Sequence, residues 1–306
     1  MTAETAARIF RNLQPEDLRV LMGIELAMEH YEFAPFQEVV KYTNLPGREV
    51  VFRLDRLDRL QLTIKVSKTF LGYDGYAVNY SGYDCLALNA LVKSNVLEAI
   101  GKPLGVGKEA DVYEALSPRR ERIVAKFHRL GRISFRQTRR ARGYVAERRH
   151  VSWLYQSRLA AEKEYKVMQR IYPRKVSVPE PIARNRHMVV MGLIEGTELR
   201  YAEIEDPLPT FKEIIANIRR AYLNAGVIHA DLSEFNVLIK PEGEILIIDW
   251  PQAVAKDHPD AERLLARDIE NILYFFRKHY RLAFSLEDVL SYVNGEKRRM
   301  RMRVRT

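Results

Sequence analysis

The chain is 306 residues long, 47% hydrophobic, with 50 Lys and Arg against 40 Asp and Glu and a net charge of +10, enough for one large domain or two ordinary ones with a proper core. Its single cysteine, Cys85, excludes a disulfide or zinc framework within the chain. No apolar run reaches the ~18 residues of a membrane span and Met1 to Phe10 has no signal-peptide core, so a cytoplasmic protein is expected, with a polyanion as the partner its charge favours.

Residues 1–82 read as a small α+β unit. Pro15 opens a helix with Leu18, Leu21, Met22 and Leu26 on its apolar side, and a second helix runs from about Pro35 to Tyr42. After the break Asn44-Leu45-Pro46-Gly47 a third runs from Arg48 to Leu60, with Val50, Val51, Leu54 and Leu57 as apolar face and Arg48, Arg53, Arg56 and Arg59 as polar face. Two short strands follow, Leu62–Val66 and Gly75–Asn79. Three helices closed by a hairpin is the winged-helix order, in which the third helix enters a nucleic-acid groove. Arg48, Arg53 and Arg56 are then candidate nucleic-acid contacts; a unit that binds protein, or only packs, is the alternative. A further helix, from about Tyr83 to Ile100, carries Leu86, Leu88, Ala90, Leu91 and Leu97 and reads as a packed connector.

From Gly101 the pattern becomes strand–turn–strand. Gly105 and Gly107, followed by Lys108 and Glu109, form a turn in which backbone amides can approach phosphates. It is not a Walker loop, and Ala110 stands where a protein-kinase loop has its third glycine. The strand Arg122–Phe127 places one lysine, Lys126, among apolar neighbours, a costly position without an anion to pair with. In a kinase such a lysine meets the α- and β-phosphates and a helix glutamate. The helix predicted at Ser157–Tyr172 offers Glu162 and Glu164, of which Glu164 shares the register of Leu159, Val167, Met168 and Ile171.

Between strand and helix, Arg129, Arg132, Arg136, Arg139, Arg140, Arg142, Arg148 and Arg149 face a single acid, Glu147, and the C-terminus is again rich in arginine. Arginine forks suit phosphates and base stacking, which makes Arg136, Arg139 and Arg140 candidate nucleic-acid contacts. Two more strands are expected at Pro179–Ile182 and Met188–Met191. Gly192–Gly196 then forms a hinge suited to an adenine edge, with Met191 and Ile194 as nucleotide contacts. A helix from Thr210 to Ala225 is closed by Gly226.

The most informative stretch comes next: Ile228-His229-Ala230-Asp231, then Asn236 before the apolar Val237-Leu238-Ile239, then Ile245-Leu246-Ile247-Ile248-Asp249-Trp250. An Asp and an Asn five residues apart, with a second Asp ending the next strand, is the pattern of kinase-type phosphoryl transfer. Asp231 belongs near the attacked phosphoryl group, and Asn236 with Asp249 would hold magnesium. Little chain follows: helices near Asp260–Tyr280 and Ser285–Val293 finish the sequence, without the long activation segment of conventional protein kinases.

These motifs, with the Gly-Lys-Glu-Ala loop, His128-Arg129-Leu130-Gly131-Arg132, Ser152-Trp153-Leu154-Tyr155 and Ile248-Asp249-Trp250-Pro251-Gln252, resemble the RIO-type atypical serine/threonine protein kinases. The resemblance is to the subfamily with an N-terminal winged helix, in a short, archaeal-like form. Trp250 departs from the Phe that many members carry there.

The resemblance implies an α+β fold: a winged helix (1–82), a connector helix (83–100) and a minimal bilobal kinase domain (101–306) with N-lobe 101–191, hinge 192–196 and C-lobe 197–306. It implies ATP with Mg2+, or Mn2+ in its place, bound through Gly105, Gly107, Lys108, Glu109, Lys126, Glu164, Met191, Ile194, Asn236 and Asp249, and Asp231 as catalytic base. It further implies an aspartyl-phosphate on Asp249, autophosphorylation with Ser134 as candidate, and a role in maturing the small ribosomal subunit and its rRNA. The sequence does not give the oligomeric state; a monomer is favoured. Aminoglycoside- or choline-type phosphotransferases share much of the Asp231–Asn236 loop. A winged-helix regulator with a catalytically dead kinase half is the third reading.

Overall fold

A computed structural model describes residues 3–130, 153–193 and 195–301. Ser134, Arg136, Arg139, Arg140 and Ile194 lie outside the described residues. The chain divides into two compact units, 1–161 with 182–190 and 162–181 with 191–306. No helix among the described residues is long and apolar enough to cross a membrane.

The first unit opens with α1 (Ala3–Phe10), α2 (Pro15–Ala27), β1 (Ala34–Pro35), α3 (Phe36–Thr43) and α4 (Gly47–Arg59). Then come β2 (Thr63–Val66), a short α5 (Lys68–Leu71) and β3 (Gly75–Val78). The three strands pair in the order β1-β3-β2, giving the winged-helix arrangement; β1 and α5 carry too few residues for a period to show in the sequence, and α1 is an additional helix ahead of the expected three. Pro15 sits at the start of α2, where a missing N–H costs nothing, and the Asp17 carboxylate accepts the Gln14 N–H at 2.8 Å. The face that α2 buries is Leu18, Val20, Leu21, Ile24 and Ala27, while the predicted Met22 and Leu26 are exposed.

α4 corrects the expectation for its arginines. Val50, Leu54 and Leu57 are buried but Val51 is exposed, and Arg53, placed on the polar face by sequence, is only 8% exposed. Asp17 is the cause. Its carboxylate is fully buried on α2 and takes Arg53 at 3.2 Å and Arg56 at 2.7 Å. Arg53 also donates to Glu49 at 2.7 Å, and Arg56 to the Asn12 carbonyl at 2.9 Å. A buried carboxylate must be paired, so these two guanidinia tie α4 to α2 instead of facing a groove. Arg48 and Arg59 remain exposed.

Helix α6 (Tyr80–Lys93) starts where the Asn79 side chain accepts the Ser81 and Gly82 N–H groups at 2.9 and 3.1 Å. It ends before Ile100, the predicted boundary, because Asn95 turns to φ 57° and a strand begins at Ala99. Its residues feed two cores. Tyr83, Cys85 and Leu86 pack into the winged-helix core. Ala87, Leu88 and Leu91 pack with Tyr113, Ala125, Phe127 and Val190 of the sheet that follows. This sheet has the order β4-β5-β6-β8-β7, with β4 (Ala99–Val106), β5 (Ala110–Leu116), β6 (Arg122–His128), β7 (Pro181–Asn185) and β8 (Met188–Gly192). The β4–β5 turn is closed by Gly107 N–H on the Ala110 carbonyl at 2.9 Å. Gly105 lies within β4, opposite Val112, at a register shift, and so is not part of the turn as expected.

α7 (Trp153–Ile171) carries the chain on, and its buried positions Ser157, Ala161, Glu164, Met168 and Ile171 follow a helical stripe; the predicted Leu159 is exposed. The second unit then holds β9 (Thr197–Glu198), α8 (Pro207–Ala225), β10 (Val227–Ile228), β11 (Val237–Ile239), β12 (Ile245–Ile247), β13 (Val254–Ala255), α9 (Ala261–Tyr280) and α10 (Leu286–Val293). β12-β11-β9 form one small sheet and β10-β13 another. Phe211 of α8 packs between Phe276 and Phe284, ring centres 5.3 and 4.6 Å away.

Arg53→Ala leaves the Asp17 carboxylate short of a partner, and the expected cost is about 3 kcal/mol of unfolding free energy. Arg48→Ala stays within about 0.5 kcal/mol. Urea unfolding midpoints of the two variants check the contrast.

Candidate active site

Gly226 ends α8 in the left-handed conformation (φ 62°) and turns the chain into β10. His229 follows, buried, and burial pushes its pKa below the ordinary value, so the ring is neutral. Its Nε2 lies 3.0 Å from the Ile248 carbonyl and donates to it; its ring centre is 4.5 Å from that of Trp250.

Ala230 has φ 64°, a left-handed conformation that a residue with a Cβ seldom holds unless its surroundings demand it. The demand comes from α9. Asp268, buried in that helix, accepts the Ala230 N–H at 2.7 Å and the Leu232 N–H at 3.0 Å. Arg267 donates to the Ala230 carbonyl, and Asn271 to the Leu232 carbonyl at 2.9 Å. The backbone on both sides of Asp231 is thus pinned by three side chains of one helix, while Asp231 itself is exposed. Loss of solvation raises the Asp268 pKa to about 6, against the lowering effect of its two N–H donors.

Asn236 is oriented by the same loop. Its Nδ2 donates to the Asp231 carbonyl at 2.8 Å, which leaves Oδ1 as an acceptor. β11 and β12 pair Val237 with Ile247, and the Ile248 N–H continues the ladder to the Asn236 carbonyl at 2.9 Å. The hairpin therefore delivers Asp249 one residue beyond the position opposite Asn236. Asp249 has φ 70°. Trp250 beyond it is buried, its N–H directed at Glu164 Oε1 (3.3 Å) and its indole N–H at the Ile247 carbonyl (3.0 Å). An amide oxygen and a carboxylate are hard donors. They suit Mg2+, which takes few protein ligands and fills its shell with phosphate and water.

Of the predicted residues, the second unit brings Asp231 and Asn236 into contact and links Asn236 to Ile248, the residue before Asp249. Glu164, 1% exposed, joins this group through Trp250. In the first unit Lys126 is buried in β6, paired with Val112 of β5, a central strand position and not an edge. Gly105, Gly107, Lys108 and Glu109 are exposed, with the Glu109 carbonyl held by the Arg129 N–H at 2.6 Å. Met191 is buried at the end of β8. Sequence reading missed Arg267, Asp268 and Asn271. Asp268 did carry a signal: a carboxylate at a core position of α9, among buried Leu265, Ile269 and Ile272.

A winged helix followed by a lysine-bearing sheet and a clamped Asp–Asn–Asp loop is the design of a kinase of atypical type. Residues 111–289 match the RIO domain, and residues 10–94 match the Rio2 N-terminal domain. The chain is 45% identical over 258 residues to the RIO-type serine/threonine-protein kinase Rio2 of Methanocaldococcus jannaschii, covering 82% of this chain and 93% of that protein. It is 36% identical over 274 residues to serine/threonine-protein kinase rio2 of Schizosaccharomyces pombe, covering 89% of this chain and 79% of that one. Its fold is similar to the crystal structure of the Rio2 kinase–ADP/Mg2+–phosphoaspartate complex from Chaetomium thermophilum, with TM-score 0.82, 34% identity, and coverage of 94% of this chain and 89% of that one. The chain belongs to the Rio2 family of RIO-type serine/threonine-protein kinases. The expected fold class holds, and the family takes the place of the antibiotic-kinase and dead-enzyme readings.

Asp268→Asn keeps the shape but cannot accept both N–H groups, and about 1–3 kcal/mol of stability should be lost. The pH dependence also changes. A carboxyl raised from 3.8 to about 6 stabilises the fold when protonated, and that contribution disappears as pH rises from about 4 to about 6. Denaturant unfolding across this window should show the decline in the wild type and its absence in Asp268→Asn.

Proposed function

We propose that the chain is a Mg2+-dependent ATP phosphotransferase and ATPase in which Asp249 is first a metal ligand and then the acceptor of the γ-phosphate. The observation that carries the reading is the Asn236 side chain. Its amide nitrogen is spent on the Asp231 carbonyl, its oxygen is left for a cation, and Asp249 follows one residue beyond the position opposite it in the hairpin. Lys126 would bind the α- and β-phosphates, with Glu164 as its anionic partner, and Gly107, Lys108 and Glu109 would cover them. Gly105, having no side chain, would let the strand leading into the turn come close to the nucleotide, and Met191 would border the adenine. Bound Mg2+ would supply charge neutralisation at the phosphates.

In the first step a carboxylate oxygen of Asp249 attacks the γ-phosphorus, the bond from that phosphorus to the β,γ-bridging oxygen breaks, and ADP leaves with the electron pair. In the second step water attacks the acyl phosphate, Asp231 takes the proton, and phosphate leaves Asp249 as the free carboxylate. The phosphoaspartate of the related Chaetomium thermophilum complex supports this route. Transfer to a serine, Ser134 among the candidates, is the protein-kinase branch of the same chemistry.

A role in small-subunit maturation, with pre-rRNA as polyanion, is supported by the net charge of +10 and by the arginines of the 132–149 stretch. Arg136, Arg139 and Arg140 keep their candidacy as RNA contacts, as does exposed Arg48; Arg53 and Arg56 do not, because they serve Asp17. We place the protein in the cytoplasm, as a monomer.

Asp249→Ala should abolish Mg2+-dependent ATP turnover and label transfer, and wild-type protein given γ-phosphate-labelled ATP should hold hydroxylamine-sensitive label. Unchanged turnover in Asp249→Ala would overturn the assignment, while acid-stable label alone would favour serine transfer. For RNA, Arg48→Ala should reduce the slope of log binding constant against log salt by about one unit.

A further inference from the structure

Arg129 opens the basic stretch that sequence reading aimed at a polyanion, yet it is 2% exposed. Its guanidinium forks onto the Asp84 carboxylate of α6, at 2.6 and 2.8 Å, and its Nε donates to Asp111 in β5 at 3.1 Å. His187 adds a further contact to Asp84 at 2.8 Å. Since the Asp84 carboxylate can only accept, the imidazole proton belongs on Nε2, directed at that carboxylate. The main chain of Arg129 is used as well, its N–H donating to the Glu109 carbonyl at 2.6 Å. The next residue, Leu130, is fixed by Ser157 Oγ on its N–H (3.0 Å) and the Tyr80 hydroxyl on its carbonyl (2.5 Å).

Burying an arginine with two carboxylates gains little stability over apolar packing of the same volume. What it does fix is relative position. Three parts of the first unit meet on this one residue: helix α6, which is shared with the winged-helix core, the end of β6, and the turn Gly107–Asp111. Arg129 holds that turn at two points, through the Glu109 carbonyl and the Asp111 carboxylate. Its bidentate partner, Asp84, lies on α6.

We propose that Arg129 is a positioning residue for nucleotide binding: anchored by Asp84 of α6, it sets the pose of the Gly107–Asp111 turn. This rests on the reading of that turn as the phosphate-covering loop. Coupling of this kind is reciprocal. A partner that shifts α6 changes nucleotide affinity, and bound nucleotide changes affinity for the partner by the same factor.

The test uses the full chain with Arg129→Lys, which keeps the charge but loses the fork, and Asp84→Asn, a milder change should the first variant not fold. Leu91→Ala serves as control: it removes packing from the same helix without touching the cluster. Two quantities are read: amide hydrogen exchange of residues 107–111 without nucleotide, and the KM-against-kcat split for ATP. The expected result is at least tenfold faster exchange in that turn and about a tenfold higher KM, with kcat within about twofold, for the cluster variants. Leu91→Ala should lower the thermal midpoint and leave KM unchanged. Unchanged exchange in the turn would overturn the anchoring, and faster exchange with unchanged KM would overturn the role in nucleotide binding. So would an equal rise in KM for Leu91→Ala. A wild type with no ATP turnover would sink the phosphotransferase reading instead, and the exchange arm would still decide the anchoring.

Discussion

A single buried carboxylate, Asp268, sets the geometry on which the proposed chemistry depends. Two N–H groups flanking Asp231 converge on it at 2.7 and 3.0 Å, and they can do so only if Ala230 adopts a left-handed conformation. That conformation costs on the order of 1–3 kcal/mol in a residue with a side chain. The clamp is strong enough to hold it because Arg267 and Asn271 take the carbonyls that the same twist exposes. The strain and the clamp explain each other. Without α9 the loop would relax, and without the twisted loop Asp268 would be a buried charge with no partner.

Elsewhere the molecule solves the same problem with arginine. Asp17 is satisfied by Arg53 and Arg56, and Asp84 by Arg129 and His187. In each case the acid sits on one helix and its partner comes from a distant element, so that a buried charge specifies which elements meet. His187 is kept neutral, its pKa pushed down to about 4 by burial, and so adds no second positive charge to the Arg129 cluster. The charge excess of the sequence is thus partly an internal resource. An arginine counted by sequence as surface can be the residue that orients two helices.

The stretch from Asp231 to Asp249 was legible because its information is local. Asp231, Asn236 and Asp249 are bracketed by apolar strands, and a hairpin of known register follows from that alternation. The length and end of α8 were legible for the same reason, through its apolar repeat and Gly226. Asp268 was not, since it is 38 residues from Ala230 and nothing in a helical period reveals which backbone it will meet. α2 misled because apolar residues lie on both sides of it: Val20, Leu21, Ile24 and Ala27 form the covered stripe, and Met22 and Leu26 are left outside. Arg53 misled because helical position tells which side a residue occupies but not whether another element covers that side. Helix α6 was read as a connector, and its apolar richness did signal packing, but a helix shared by two cores has no polar face from which to judge its ends.

On the proposed chemistry, Asp249 must serve a cation and a phosphorus in turn without changing its backbone, and its surroundings are built for that. Ile248 on one side gives its N–H to Asn236 and its carbonyl to His229. Trp250 on the other gives its N–H to Glu164 and its indole N–H to Ile247. The peptide units before and after Asp249 are therefore committed, and its left-handed φ is fixed between them. Trp250 in place of phenylalanine adds a donor to this arrangement. The indole N–H ties the residue after Asp249 back to β12, so the larger side chain does more than fill volume: it closes a one-turn bracket around the aspartate. A backbone held this firmly lets the side-chain torsions alone carry Asp249 from ligand to acceptor, which confines the phosphate's first destination to a residue that never leaves the metal's reach.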